Sequence, residues 1–273
     1  MSDGDPVLIY FILGTAGSGR RAVVADLIDG GLAEDERAVV LLSDNEADNE
    51  IDAKLPRLVR WHWNDGQLDI PDGAMGDATH VFLISDGRTN PVDQIEAFKP
   101  WLDRSGGKLA RVFCVVDSRL AEQTPELLPW YEACIHFSDV VLLTNRAGVA
   151  NKWISDFQNR FKDQFYPCLF EFVKNAPLKN PPLLLEPEAR RMSHLFDEAE
   201  WDIIDDSGNV EVDDFEDEDD KLPEGHETTE EIEVVQVVDP YLERRLGGRR
   251  VKEIPDVAKY LPPKAETRSS TSA

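Results

Sequence analysis

Apolar runs alternate with amphipathic stretches along roughly the first two-thirds of the chain. Six runs rich in Val, Ile, Leu and Phe read as strands: Val7–Leu13, Ala38–Ser43, His80–Ser85, Ala110–Asp117, Val140–Thr144 and Pro167–Phe172. Several are continuous rather than alternating, as in a parallel sheet covered on both faces. Between them lie stretches with helical spacing: Arg21–Asp29, Gln94–Arg104, Pro125–Phe137 and Lys152–Gln164. In the last of these, Trp153, Phe157, Arg160 and Phe161 recur at helical intervals, and the aromatics read as core. Strands separated by helices imply βαβ units and a doubly wound, mostly parallel α/β sheet with helices on both faces.

The pattern stops at Pro177. The stretch PLKNPPLLLEPEARR is broken by prolines, and a strongly acidic run follows. Residues 186–240 carry 22 Asp/Glu against three Lys/Arg, whereas residues 241–273 carry four acids and eight bases. Most of the net charge of −25 therefore sits outside the patterned region. Low hydrophobicity with high charge predicts a largely disordered acidic C-terminal tail. The expected division is a domain over 1–176, a proline-broken acidic linker over 177–231, and a short docking segment with a basic tail over 232–273. Two apolar islands interrupt the tail, Phe196–Ile204 and Ile232–Leu246. The acidic run reads either as a solvated linker or as an element that engages a protein partner or folds back on Arg244, Arg245, Arg249 and Arg250.

The first turn carries the candidate chemistry. After Val7–Leu13 comes GTAGSGRR, with Gly14 and Gly19 at the fixed glycine positions of the phosphate-loop pattern G-x-x-x-x-G-K-[ST]. A glycine-rich turn between a strand and a helix points backbone N–H groups and the positive helix end at one spot, which suits a polyphosphate. The same glycines also serve a plain tight turn. Gly14, Gly17, Ser18, Gly19, Arg20 and Arg21 are the candidate nucleotide-binding residues here. Arg20 replaces the Lys and keeps its charge in a bulkier planar fork. Arg21 replaces the Ser/Thr that binds Mg²⁺, and a guanidinium there repels the ion.

Composition narrows the setting. The three cysteines, Cys114, Cys134 and Cys168, form no C-x-x-C pair, and Cys114 lies in an apolar run. With no signal peptide and no long apolar span, the expectation is a reduced, soluble, cytoplasmic protein without a membrane partner. The overall acidity argues against general nucleic-acid binding.

Three further stretches follow the phosphate loop in a recognisable order, and with them residues 5–175 resemble the CobW-type P-loop GTPases, the metallochaperone and cobalamin-synthesis family. Ser43–Asp52, SDNEADNEID, stands where that family has V-N-E-F-G-E-x-G-I-D: Ile51 and Asp52 match, Asp44 stands near the Asn, and Ala47 and Glu50 replace glycines. Arg60–Pro71 occupies the place of the C-x-C-C metal motif without a cysteine, so no zinc site is expected, and His62 between Trp61 and Trp63 reads as packed surface. Ile84–Pro91, ISDGRTNP, stands for the family's E-T-S-G-L-A-D-P: Gly87 and Pro91 match, Ile84 replaces the Glu, and Asp86 follows two residues later. Asp117 matches the end of the family's V-V-D. Asn145–Gly148, NRAG, stands for the guanine-reading N-K-x-D, with Asn145 matched and Gly148 lacking the acceptor.

The resemblance implies a P-loop NTPase-like domain whose ligand is GTP or another nucleotide, contacted also by Asn145. It makes Asp52 and Asp86 the remaining candidates for Mg²⁺, although Asp86 serves equally as a turn residue before Gly87. Apart from Ala47 and Glu50, the departures strike chemical residues and spare the frame. The expected function is therefore a pseudo-GTPase, an interaction or regulatory module with weak or metal-independent nucleotide or anion binding. The alternative is an active GTPase of the same family.

Overall fold

The computed structural model describes residues 6–64, 66–173, 177–197 and 238–263. The acidic run from 198 to 231, the apolar stretch 232–237 and the chain end at 264–273 lie outside the described residues. Eight strands form one sheet: β1 Leu8–Gly14, β2 Ala38–Ser43, β3 Leu58–Asn64, β4 Gln67–Asp69, β5 His80–Ile84, β6 Lys108–Asp117, β7 Val140–Thr144 and β8 Leu169–Phe172. Their order is β4-β3-β2-β5-β1-β6-β7-β8. All pairs are parallel except the terminal β3–β4 hairpin.

Six helices are described: α1 Arg20–Gly31, α2 Pro91–Ser105, α3 Ser118–Gln123, α4 Leu128–His136, α5 Asn151–Lys162 and α6 Pro181–Leu185. The sheet separates two cores. Ile9, Phe11 and Leu13 pack on one face with residues of α2, α4 and α5, while Tyr10 and Ile12 pack on the other with α1 and α6. This two-layer burial explains the continuous apolar strands, since β1, β5, β6 and β7 are covered on both sides. A phosphate-loop turn after the central strand of such a sheet makes this a P-loop NTPase-like fold.

Two features differ from the sequence expectation. The stretch around His62 forms the β3–β4 hairpin, with Trp61 buried and its Nε1–H donating to the Ile84 carbonyl at 3.1 Å. Tryptophans around a histidine mask a strand when neighbouring charges break the apolar run. Second, the compact unit that contains the sheet runs through Phe196 and takes in the described residues 239–263. Residues 177–196 dock by backbone: the Tyr10 hydroxyl donates to the Leu185 carbonyl at 2.8 Å, and the Arg190 N–H donates to Asp139 at 2.6 Å. After Asp239 the chain buries Tyr241, Val257 and Leu261 against the first core. Prolines ended the periodic pattern there, but they do not prevent packing.

Candidate functional site

The site lies at the carboxyl ends of β1, β2 and β5, where open parallel sheets place their crevices. Gly19 caps α1 in the left-handed region, with φ 90° and ψ 16°, which glycine adopts without strain. The opposite wall comes equally close. The Ala16 N–H donates to the Gly87 carbonyl at 3.0 Å, and a Cβ on Gly87 would stand 2.3 Å from the Ala16 nitrogen. The matched glycine of the ISDGRTNP stretch is thus fixed by contact with the loop.

The two arginines turn inward onto acids of the same molecule. Arg20 is buried; its guanidinium donates to the Ser85 carbonyl and to Glu46, and reaches the Ser85 hydroxyl at 3.3 Å. Arg21 donates from Nη1 to both carboxylate oxygens of Asp52 at 2.8 and 3.0 Å, and from Nη2 to Glu46 at 3.1 Å and the Ala47 carbonyl at 2.8 Å. Arg60, from β3, donates to Asp48 at 2.6 Å and lies 3.7 Å from Asp52. Three guanidinium groups thus meet three carboxylates. Burial pushes the Glu46 carboxyl up, but the charges of Arg20 and Arg21 and their hydrogen bonds outweigh it and hold the group below its usual value. Glu46 is a carboxylate seated between the two cations of the phosphate loop, beside the positive end of α1.

The turn that carries Glu46 is locally built. Asn49 caps a 3₁₀ turn over Glu50–Lys54, and Asp52 returns the bond to the Asn49 N–H at 3.0 Å. This capping box places Asp52 facing Arg21. Asp86 is buried at the end of β5 and accepts from Asn45 at 2.8 Å and from the Arg88 N–H at 3.0 Å.

A cleft of about 480 Å³ opens over the loop, lined by Gly17, Gly19, Arg20, Arg21, Glu46 and Arg88 among others. The candidates Gly17, Gly19, Arg20 and Arg21 meet there. Gly14 and Ser18 form the turn behind it, and a Cβ on Gly14 would stand 2.5 Å from the Val115 carbonyl. Asn145 lies outside the cleft lining, exposed, with φ 49° and its amide donating to Asp117 at 2.7 Å. Thr144, just before it, donates to the Ser18 carbonyl at 2.7 Å, which ties the β7 end to the loop. Asp52 and Asp86 serve separate hydrogen-bond sets: Asp52 with Arg21 and the Asn49 N–H, Asp86 with Asn45 and the Arg88 N–H.

The Mg²⁺ that the fold family uses does not fit these residues. The position that would ligate it holds Arg21, whose guanidinium is engaged by Asp52 and Glu46. Among the described residues no group of three or more His, Cys, Asp or Glu is placed to hold a metal ion, and no helix is long and apolar enough to cross a membrane. Sequence reasoning missed Glu46, Arg60 and Arg88. The available signal was charge: two arginines in a tight, buried turn require acid partners, and the acid-rich stretch after β2 is the nearest source.

No protein-family model matches this chain, and no curated protein matches it. Among solved structures it is similar to Zn(II)-bound YjiA GTPase from E. coli, at 13% identity over 66% of this chain and 63% of that one, TM-score 0.44. It is also similar to the hydrogenase maturation factor HypB from Archaeoglobus fulgidus, at 11% identity over 61% and 81%, TM-score 0.45. A third is the signal recognition particle receptor FtsY from Elizabethkingia anophelis in complex with GDP, at 16% identity over 72% and 65%, TM-score 0.47. The chain thus spans less than two-thirds of the length of YjiA and of FtsY.

Proposed function

We propose that this chain is a pseudo-GTPase: a P-loop protein that acts as an interaction or regulatory module, with at most weak, metal-independent binding of a nucleotide or another polyphosphate. The observation that carries the reading is Glu46, held between Arg20 and Arg21 in the turn that otherwise cradles phosphate. An incoming phosphate has to displace this internal carboxylate before it gains either arginine. Phosphoryl transfer rests on positioning and charge stabilisation around a metal-bound phosphate, and Arg21 removes the metal's place. Guanine selection is weakened as well, because Gly148 offers no side-chain acceptor. A protein partner engaged through the C-terminal part of the chain, in a cytoplasmic setting, belongs to the same proposal.

One observation favours an active GTPase: Asp86 is a buried carboxylate at the end of β5 that accepts from two uncharged donors, the Asn45 side-chain amide and the Arg88 backbone N–H. Calorimetric titration with GTP, GDP and ATP, with and without Mg²⁺, separates the two. The pseudo-GTPase reading expects no Mg²⁺-dependent heat and no turnover. Micromolar, Mg²⁺-dependent GTP binding with phosphate release would overturn it. The combined substitution Arg20→Lys, Arg21→Thr and Gly148→Asp is expected to restore Mg²⁺-dependent binding if the rest of the cleft is intact.

A further inference from the structure

The chain after Asp239 returns to the domain and ends its described course at the phosphate loop. It is anchored at three places. Asp239 accepts from His136 at the end of α4 at 2.8 Å, and Tyr241 packs on the same ring with centroids 4.8 Å apart. Arg250 is buried and donates to Asp93 at 2.6 Å and to Glu96, while Arg244 donates to Glu96 at 2.6 Å, both acids lying on α2. Val257 and Leu261 are buried in the core. Two of the four basic residues expected to attract the acidic run, Arg244 and Arg250, are thus engaged by α2, while Arg249 pairs with Glu253 at 2.7 Å. Two residues beyond Val257–Tyr260 the chain reaches the cleft: Pro262 and Pro263 line it, and the Pro262 carbonyl accepts from the Arg88 guanidinium at 2.7 Å. Arg88 is covalently next to Gly87, whose carbonyl holds the Ala16 N–H of the loop.

We propose that residues 239–263 are a strap that closes the phosphate-loop cleft from within the same chain, with Pro262 and Pro263 across its mouth, so that a phosphate ligand enters only when the strap lifts. The occupant follows from the covalent path and the bonds that hold it. The diproline is stiff, so a small shift at Leu261 moves both rings together. The α2 ion pairs set the strap's position at a distance from the cleft: neither Arg244 nor Arg250 lines it. The ligand class rests on the anion-binding reading above; the closure does not.

The test uses the full chain with two strap variants, Arg244→Gln/Arg250→Gln and Pro262→Gly/Pro263→Gly, each with and without Glu46→Gln. Hydrogen exchange of amides 15–22, read without ligand, reports the closure itself. Both strap variants are expected to exchange there at least about tenfold faster than wild type, without loss of protection in β1 or β6. Unchanged exchange in both overturns the strap. Inorganic pyrophosphate in EDTA is the binding probe, and strap release on the Glu46→Gln background is expected to tighten it about tenfold. Equal affinity with and without release overturns the gating role. Faster exchange with no pyrophosphate binding by any variant supports the closure and sinks the anion reading alone.

Discussion

Two clusters of paired charge sit at opposite ends of the sheet and are built differently. At the carboxyl ends, Arg20, Arg21 and Arg60 are matched by Glu46, Asp48 and Asp52, and the cluster borders the cleft over the phosphate loop. At the amino ends, Asp139 is fully buried just before β7. It accepts from the Val112 N–H at 2.6 Å, the Arg190 N–H at 2.6 Å and the Arg191 guanidinium at 3.3 Å. Burial pushes its carboxyl up, and the neighbouring arginines and N–H donors do not fully offset this. Beside it lies Arg111, buried in β6, with Glu188 at 3.6 Å and with two guanidinium nitrogens lacking a described partner. The second cluster staples residues 186–193 to the sheet, a structural task. The first is balanced, carries a carboxylate below its normal pKa, and stands where the fold places ligands. The phosphate-loop charges are thus paired with one another, and the proposed metal-independent reading rests on that pairing.

The contrast can be broken by substitution, and the largest effect is expected at the staple. Asp139→Ala takes the carboxylate from Arg191, removes the acceptor of the Val112 and Arg190 N–H groups, and takes a stabilising negative charge from beside Arg111. A loss of about 3–5 kcal/mol in urea unfolding is expected, and a loss below about 1 kcal/mol would show that water replaces the acid at little cost. Glu46→Ala is expected to cost less, about 1–3 kcal/mol, because the cleft admits water to the arginines.

The pH dependence separates the clusters by sign. Glu46 is depressed in the folded state, so its stabilisation is fully present above its ordinary value of 4.5 and is lost as pH falls through the lower folded value. Asp139 is raised above its ordinary 3.8, so its contribution is present below that value and is lost as pH rises through the folded one. Thermal unfolding between pH 3 and 6 should therefore show Glu46→Gln flattening the acid side of the wild-type curve, and Asp139→Asn flattening the opposing slope. Curves parallel to wild type would remove the assigned causes. A smaller change is expected from Arg20→Lys, about 1 kcal/mol, because an ammonium cannot reach Ser85 and Glu46 with one fork. The smallest concerns Gly148→Asp. Gly148 has φ 86° and no atom within 4 Å of a Cβ, so only the left-handed conformation resists, by about 1 kcal/mol in chemical denaturation.

Much of the frame was legible in the sequence. All six expected strands exist within a few residues, because doubly covered strands write continuous apolar runs. Helix α2 begins at Pro91 rather than Gln94, since Asn90 caps it and a proline is tolerated in its first turn. The glycines of the loop were legible for the same reason: a strand-to-helix turn with positive φ leaves few alternatives. Glu46 was not, because its role depends on a turn 26 residues away folding onto Arg20. The placement of Tyr241, Val257 and Leu261 was hidden by charge, since three isolated apolar side chains among arginines carry no period. What residues 198–237 contribute is outside the described residues.

The central claim is that Glu46 serves as the internal anion of a phosphate loop that does not use Mg²⁺. Titration of wild type and Glu46→Gln with pyrophosphate, in EDTA and again in excess Mg²⁺, tests it directly. The account predicts weak or no binding by wild type, at least about tenfold tighter binding by Glu46→Gln in EDTA, and no further gain from Mg²⁺. Equal affinity of the two proteins, or binding that appears only with Mg²⁺, would contradict it.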